Sequence, residues 1–318
     1  MKNSTKREIQ TFFIIVIPLG IITTYLKYRA YVTPGSASLA VIFAHMWGPG
    51  IAGIATKLIH RRNLKIMGWS PGKFKYLLAA FCIPLILAFV AYGSVWLTGL
   101  GGVNVSRLTN IIIRDAPFVR DFPVVVMLVM LAVYGLFRAL STALGEEIGW
   151  TGFLTPAFLE ITTPTKSSLA VGFIWAVWHY PLILFAGYNA GTSLWFAIPF
   201  FTIMVVGFSF VRTWLWISSG SLWTGAILHA AHNLFIQVFF DIVTVDFGTT
   251  KLYTTEFGVG MAMVYTVVAL FAFFNFQKNQ GKLPRTRLLY KQVNRGKSSA
   301  WQMQLIGFAK TTQQWGAI

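Results

Sequence analysis

The run FPVVVMLVMLAVYGLFRALSTALGEEIGWTG, residues 122–152, decides the fold. From 122 to 144 it carries one charged residue, Arg138, and it is long and apolar enough for a membrane-crossing helix, which needs about 20 such residues. It then ends on Gly145-Glu146-Glu147-Ile148-Gly149-Trp150-Thr151-Gly152, two adjacent carboxylates where a lipid-facing helix would have none. Seven comparable runs lie on either side, at 10–28, 36–58, 76–99, 166–187, 193–214, 221–243 and 257–276. Together they predict an all-α, polytopic integral membrane protein of about eight transmembrane helices.

Composition excludes the alternatives. Of 318 residues, 56% are hydrophobic and only 11% charged, far below the roughly 25% of a soluble globular protein. The single cysteine, Cys82, leaves no intrachain disulfide and no cysteine-based zinc site. The segment Phe12 to Tyr25 has no small-residue cleavage site after it and reads as a retained helix rather than a signal peptide. The chain divides into one membrane domain, 1–276, with a motif-bearing core at 120–243, and a basic tail, 277–318, that extends into solvent or lipid headgroups. Residues 103–121 are too polar to span. The spacing of Leu108, Ile111 and Ile112 predicts a short amphipathic helix there.

Twenty-six Lys and Arg against nine Asp and Glu would suit a nucleic-acid partner, but their distribution fits membrane topology instead. With the N-terminus in the cytoplasm, nineteen fall on the inner side, among them Lys57, Arg61, Arg62, Lys65 and, flanking an inner loop, Arg212. Six fall outside: Lys27, Arg29, Arg107, Arg114, Arg120 and Lys251. Both termini are therefore expected in the cytoplasm, at the cell membrane if the source is prokaryotic, with the lipid bilayer as the partner and no nucleic acid.

An ionisable side chain at membrane depth costs on the order of 2.5–3.5 kcal/mol on insertion scales and so marks a functional site by default. Three clusters qualify: Glu146-Glu147, then Trp175 with His179, then His229 with Asn233. Residues four apart share a helix face, so each of the latter pairs presents two groups to one partner surface. The two glutamates point about 100° apart and serve different neighbours. A buried carboxylate beside a histidine can deprotonate a water, and a second histidine with an amide can stabilise an oxyanion. Glu146, His179, His229 and Asn233 thus describe hydrolysis of an amide by activated water. His45 and His60 read as interhelical contacts. Zinc would need three protein ligands, for which Glu146, His179 and His229 are the candidates. The absence of a His-Glu-x-x-His helix favours a reaction without a cofactor.

In these three clusters, in this order, the chain resembles the CPBP or Abi family, which includes the type II CAAX prenyl endopeptidases. The resemblance covers roughly residues 120 to 240. It implies that Glu146 and His179 activate the water, that His229 and Asn233 form the oxyanion hole, and that Glu147 is a supporting carboxylate. It further implies a bundle of eight helices around a central cavity, and endoproteolysis near the cytoplasmic side of the membrane on a peptide or lipidated protein substrate. The chain departs from the family pattern at Thr151, where an arginine is expected; a hydroxyl lacks the charge and bidentate reach of a guanidinium. Arg138, two turns before Glu146, is the only nearby basic residue in this span, and Glu147 is left without its usual partner. Two other functions fit parts of the chain: a catalytically silent scaffold or immunity protein, suggested by Thr151, and a proton-coupled transporter, suggested by buried Glu and His.

Overall fold

The computed structural model describes residues 2–33 and 39–278; the basic tail lies outside the described residues. The chain runs through α1 (Lys2–Val32), α2 (Leu39–Ile59), α3 (Phe74–Leu97), α4 (Val105–Asp115) and α5 (Val124–Glu147). It continues with α6 (Thr155–Ile161), α7 (Pro164–Phe185), α8 (Leu194–Ser219), α9 (Leu222–His232), α10 (Asp241–Val243) and α11 (Val259–Lys278). Two three-residue strands, β1 (Gly101–Val103) and β2 (Thr244–Asp246), pair antiparallel with Gly101 opposite Asp246.

Seven of these helical stretches are long and apolar enough to cross a membrane, counting α5 through α6 and α9 through α10 as single spans. The eighth expected run is α2, a 21-residue helix whose centre, His45 to Gly50, is diluted by a histidine and by Gly48-Pro49-Gly50; it is not among the seven. The amphipathic helix predicted for 103–121 is α4, anchored by buried Leu108. The β1/β2 pair has no counterpart in the sequence reading, because three residues are too few to show an alternating pattern.

Local chemistry sets the helix ends. Thr163 caps α7, accepting a hydrogen bond from the Lys166 amide at 3.3 Å, with Pro164 as the first helical residue. Gly220, at φ 69°, ends α8 in the left-handed conformation. Internal prolines in α1, α2, α3, α7 and α8 are tolerated because neighbouring helices take up the freed backbone groups.

Lipid gives helices no hydrophobic drive to associate, so close packing must do it. Gly145 and Gly149, four apart, let the end of α5 lie against the backbone of α2 at Trp47 and Pro49. A Cβ at Gly149 would sit 2.5 Å from the Pro49 carbonyl carbon. This crossing brackets Glu146 and Glu147, so a close backbone contact holds the carboxylates in place. The far end of α1 is tied separately: buried Glu8 accepts from Lys57 and from Arg62, each at 2.8 Å, and Thr5 donates to Glu160 of α6 at 2.6 Å. Gly149→Ala is expected to destabilise the protein by about 1–3 kcal/mol, the usual cost of overpacking. Gly93→Ala, which would meet nothing within 4 Å, should leave stability unchanged; thermal unfolding in detergent compares the two.

Candidate active site

Immediately after Glu147 the helix widens into a π-helical turn, Ile148–Leu154, before α6 resumes. A second wide turn, Asn233–Phe240, interrupts the span formed by α9 and α10. Such turns are rare and cluster at functional sites. Here one follows the Glu-Glu pair and the other begins at Asn233.

Both glutamates are fully buried, and each receives a donor from four residues on. The Trp150 indole donates to Glu146 Oε2 at 3.0 Å, and the Thr151 hydroxyl donates to Glu147 Oε2 at 2.5 Å. Trp175 of α7 adds a second indole N–H to Glu146 Oε2 at 2.6 Å. The other oxygen, Oε1, has no hydrogen-bond partner among the described residues and lies 3.9 Å from His179 Nε2. His179 Nδ1 is 3.0 Å from the Trp175 carbonyl oxygen. A carbonyl can only accept, so Nδ1 carries the hydrogen and neutral His179 turns the lone pair of Nε2 toward Glu146.

Glu147 faces the other way. Its Oε1 is 3.1 Å from His229 Nδ1 and 3.7 Å from Arg212 Nη1. Arg212 is fully buried, donates from Nη2 to Ser209 at 3.0 Å, and lies over the Trp175 ring at 5.2 Å. Gly225 of α9 allows this approach, since a Cβ there would meet Glu147 Oε2 at 3.0 Å. Arg138 is exposed and is not the partner of Glu147. The guanidinium comes from Arg212, and its expected place flanking an inner loop is corrected: it is fully buried within α8.

The structure therefore brings Glu146, Glu147, Thr151, Trp175, His179 and His229 into one network. The Trp175 ring joins its halves, with centroid distances of 5.9 Å to His179 and 5.1 Å to His229. Asn233 joins them as a neighbour on a shared cavity of about 310 Å³ lined by Trp175, His179, His229 and Asn233. The glutamates lie behind that wall and not on it. His45 and His60 do bond across to α1, to Thr23 and Thr11, each at 2.9 Å. His45 also lines the cavity, its ring 6.4 Å from that of His179.

Residues the sequence reading passed over complete the cavity. Glu256, from the loop before α11, accepts from Tyr188 and from Gln237 and lies 3.3 Å from His232 Nε2. Burial pushes the Glu256 carboxyl up, but His232 and the two hydrogen bonds outweigh it and hold it at about 2. It stays ionised at any ordinary pH. The Tyr188 hydroxyl is raised well above its usual value, first by burial and then by Glu256. Arg212 was legible by the rule that picked out the glutamates, since it lies two turns inside the end of an apolar 26-residue helix. Glu256 and Tyr188 come from loops, and only the folded chain brings them inward.

Among the described residues no three His, Cys, Asp or Glu side chains converge as a ligand set. Glu146 and His179 supply two facing atoms, and His229 directs Nδ1 to Glu147.

The cavity occupies the half of the bundle where α1 and α7 end and α2, α8 and α11 begin, opposite the end that carries Glu8, Lys57 and Arg62. Cytoplasmic termini and a site near the cytoplasmic side therefore do not go together. A second, apolar cavity of about 660 Å³ lies between α1 and α7 and has Trp150 and Trp178 in its lining.

The fold and site define a polytopic, all-helical membrane protein with a buried Glu/His centre. Residues 128–235 match the family model described as Type II CAAX prenyl endopeptidase Rce1-like, so the resemblance read from the three motifs holds for the segment that carries them. Over 106 residues the chain is 28% identical to the CAAX prenyl protease 2 of Methanococcus maripaludis, a stretch covering 31% of this chain and 38% of that protein. Glu146, Glu147, Thr151, Trp175, His179, Arg212, His229 and Asn233 all fall within the family match; Lys27, His45 and Glu256 fall outside it.

Removing Arg212 would take from buried Glu147 the one permanent positive charge beside it among the described residues. Arg212→Met is expected to cost about 3–5 kcal/mol in thermal unfolding, and Glu147→Gln in the same chain should recover most of it.

Proposed function

We propose that this protein is an intramembrane endopeptidase that hydrolyses a peptide bond of a membrane-associated or lipidated substrate. The observation that carries the reading is the facing pair formed by Glu146 Oε1 and His179 Nε2, 3.9 Å apart and both presenting lone pairs. One water donating a hydrogen bond to each would satisfy both and would be held for deprotonation. The two indole donors on Glu146 Oε2 fix the carboxylate so that its other oxygen serves as the base.

The water's oxygen attacks the peptide carbonyl, and the carbonyl oxygen gains charge. His229, whose Nδ1 faces Glu147, donates from Nε2 to that oxygen, and the Asn233 amide adds a second donor. Collapse of the tetrahedral intermediate expels the amine, which takes the proton held by the Glu146/His179 pair. No metal takes part in this route. The apolar cavity between α1 and α7 supports a substrate that carries a lipid chain, because it brings hydrocarbon to the far side of the Trp150 ring that holds Glu146. The missing arginine suggested a silent scaffold; Arg212, 3.7 Å from Glu147, supports the enzyme reading instead.

Purified protein in lipid should cleave a prenylated or leader-type peptide, with Glu146→Gln and His179→Ala each slowing cleavage by about a hundredfold or more while the fold is kept. A folded wild type that cleaves nothing the variants spare would overturn the reading.

The same proposal places both termini in the cytoplasm, on the basic side, so the cavity half faces the other compartment. In a Cys82→Ser background, an impermeant maleimide should label Ser106→Cys in intact cells and Lys65→Cys only after permeabilisation. The reverse pattern would invert the orientation.

A further inference from the structure

His45 carries an acceptor at the cavity that neither the packing of α2 nor the reaction proposed above uses. The residue is fully buried, and its ring lines the 310 Å³ cavity 6.4 Å from the ring of His179. Thr23 Oγ1, 2.9 Å from His45 Nδ1, gives its own hydrogen to the Leu19 carbonyl oxygen at 2.7 Å. A hydroxyl has one hydrogen, so Thr23 accepts from His45, Nδ1 carries the proton and Nε2 of the neutral ring holds a lone pair. Nε2 has no hydrogen-bond partner among the described residues. Trp178 stacks on the face of the ring, with centroids 4.6 Å apart and planes at 25°, and so covers the face and not the edge that carries Nε2.

A buried acceptor without a donor is costly enough to need a reason. The site presents three lone pairs: Glu146 Oε1, His179 Nε2 and His45 Nε2. One water has two hydrogens, and the Glu146/His179 pair takes both. The third acceptor needs a hydrogen from the ligand. The rings that line the cavity follow in the order His229, Trp175, His179, His45, with successive centroids 5.1, 5.9 and 6.4 Å apart. In a trans peptide unit the C=O and N–H bonds point in opposite directions. A scissile carbonyl turned to His229, with its carbon at the Glu146/His179 water, sends its N–H away from His229 and toward the His45 end of that row.

We infer that His45 Nε2 accepts the N–H of the scissile amide, so that the site selects a secondary amide at the bond it cuts. This rests on the endopeptidase reading and deepens it by naming the residue that orients the bond to be cleaved. His45 takes no proton. It fixes the plane of the amide against the water on one side and the oxyanion donors on the other.

The test uses the full chain in phosphatidylcholine nanodiscs and an S-prenylated cysteine peptide ending in three aliphatic residues, with the cut bond located by mass spectrometry of the products. A second peptide carries an ester in place of that one amide, which removes its N–H. A third carries the ester one bond further on and keeps the scissile amide. His45→Phe keeps a ring and removes the acceptor. It is expected to lower kcat/KM on the all-amide peptide about three- to tenfold, the weight of one neutral hydrogen bond, and to leave kcat/KM on the scissile ester as it was, which also shows that the variant folds. His45→Gln, whose Oε1 stands near the place of Nε2, should restore the all-amide rate, and the third peptide should respond as the first does. Equal losses on the amide and the scissile ester, failure of His45→Gln to restore, or indifference of the third peptide to His45→Phe would each overturn the inference, the last by assigning the N–H to the neighbouring residue. If amide and ester are both cut and His45→Phe does not tell them apart, the His45 assignment fails and the endopeptidase stands; if nothing is cut, the endopeptidase reading falls and the assignment with it.

Discussion

Two adjacent carboxylates buried in the middle of a membrane bundle are the constraint to which the rest of this structure answers. An unpaired charge in such surroundings is costly enough that each must be met by specific partners. The solution is asymmetric. Glu146 has both donors on one oxygen, from Trp150 and Trp175, and keeps the other oxygen turned to His179. Glu147 is met by Thr151, His229 and Arg212 on both oxygens. Sequence neighbours thus become one carboxylate with an oxygen left without a hydrogen bond and one engaged on both, and the difference comes from the helices each faces.

Trp175 connects the two. Its indole nitrogen holds Glu146, its carbonyl sets the tautomer of His179, and its ring lies against His229 and under the Arg212 guanidinium. Moving it would disturb Glu146, His179 and His229 together.

Much of this was legible in the chain. The apolar runs gave the spans because a bilayer imposes a length and a composition that no other solvent does. The polar clusters gave the site because carboxylates and imidazoles at that depth need a reason. What escaped has physical causes. Arg212 was counted as a loop cation because it falls near the end of a span, and a charge count has no way to see a side chain turning inward. Arg138 looked suitable by its distance along α5, yet it points outward, since adjacency on one helix says nothing about which face the bundle buries. The π-helical turns at Ile148–Leu154 and Asn233–Phe240 leave no periodic trace. Glu256, Tyr188 and Lys27 come from loop or helix-end positions that only tertiary folding carries to the cavity.

The crossing of α2 and α5 has a consequence for genetics. Gly145 and Gly149 lie one on each side of Glu146 and Glu147 and are held against the backbone of α2, so positions outside the cavity lining control whether Glu146 is in place. A screen for inactive alleles would return these two glycines beside the glutamates and histidines. Sorting such alleles by protein abundance in the membrane, and not by activity alone, would separate the ones that lose the scaffold from the ones that lose the chemistry.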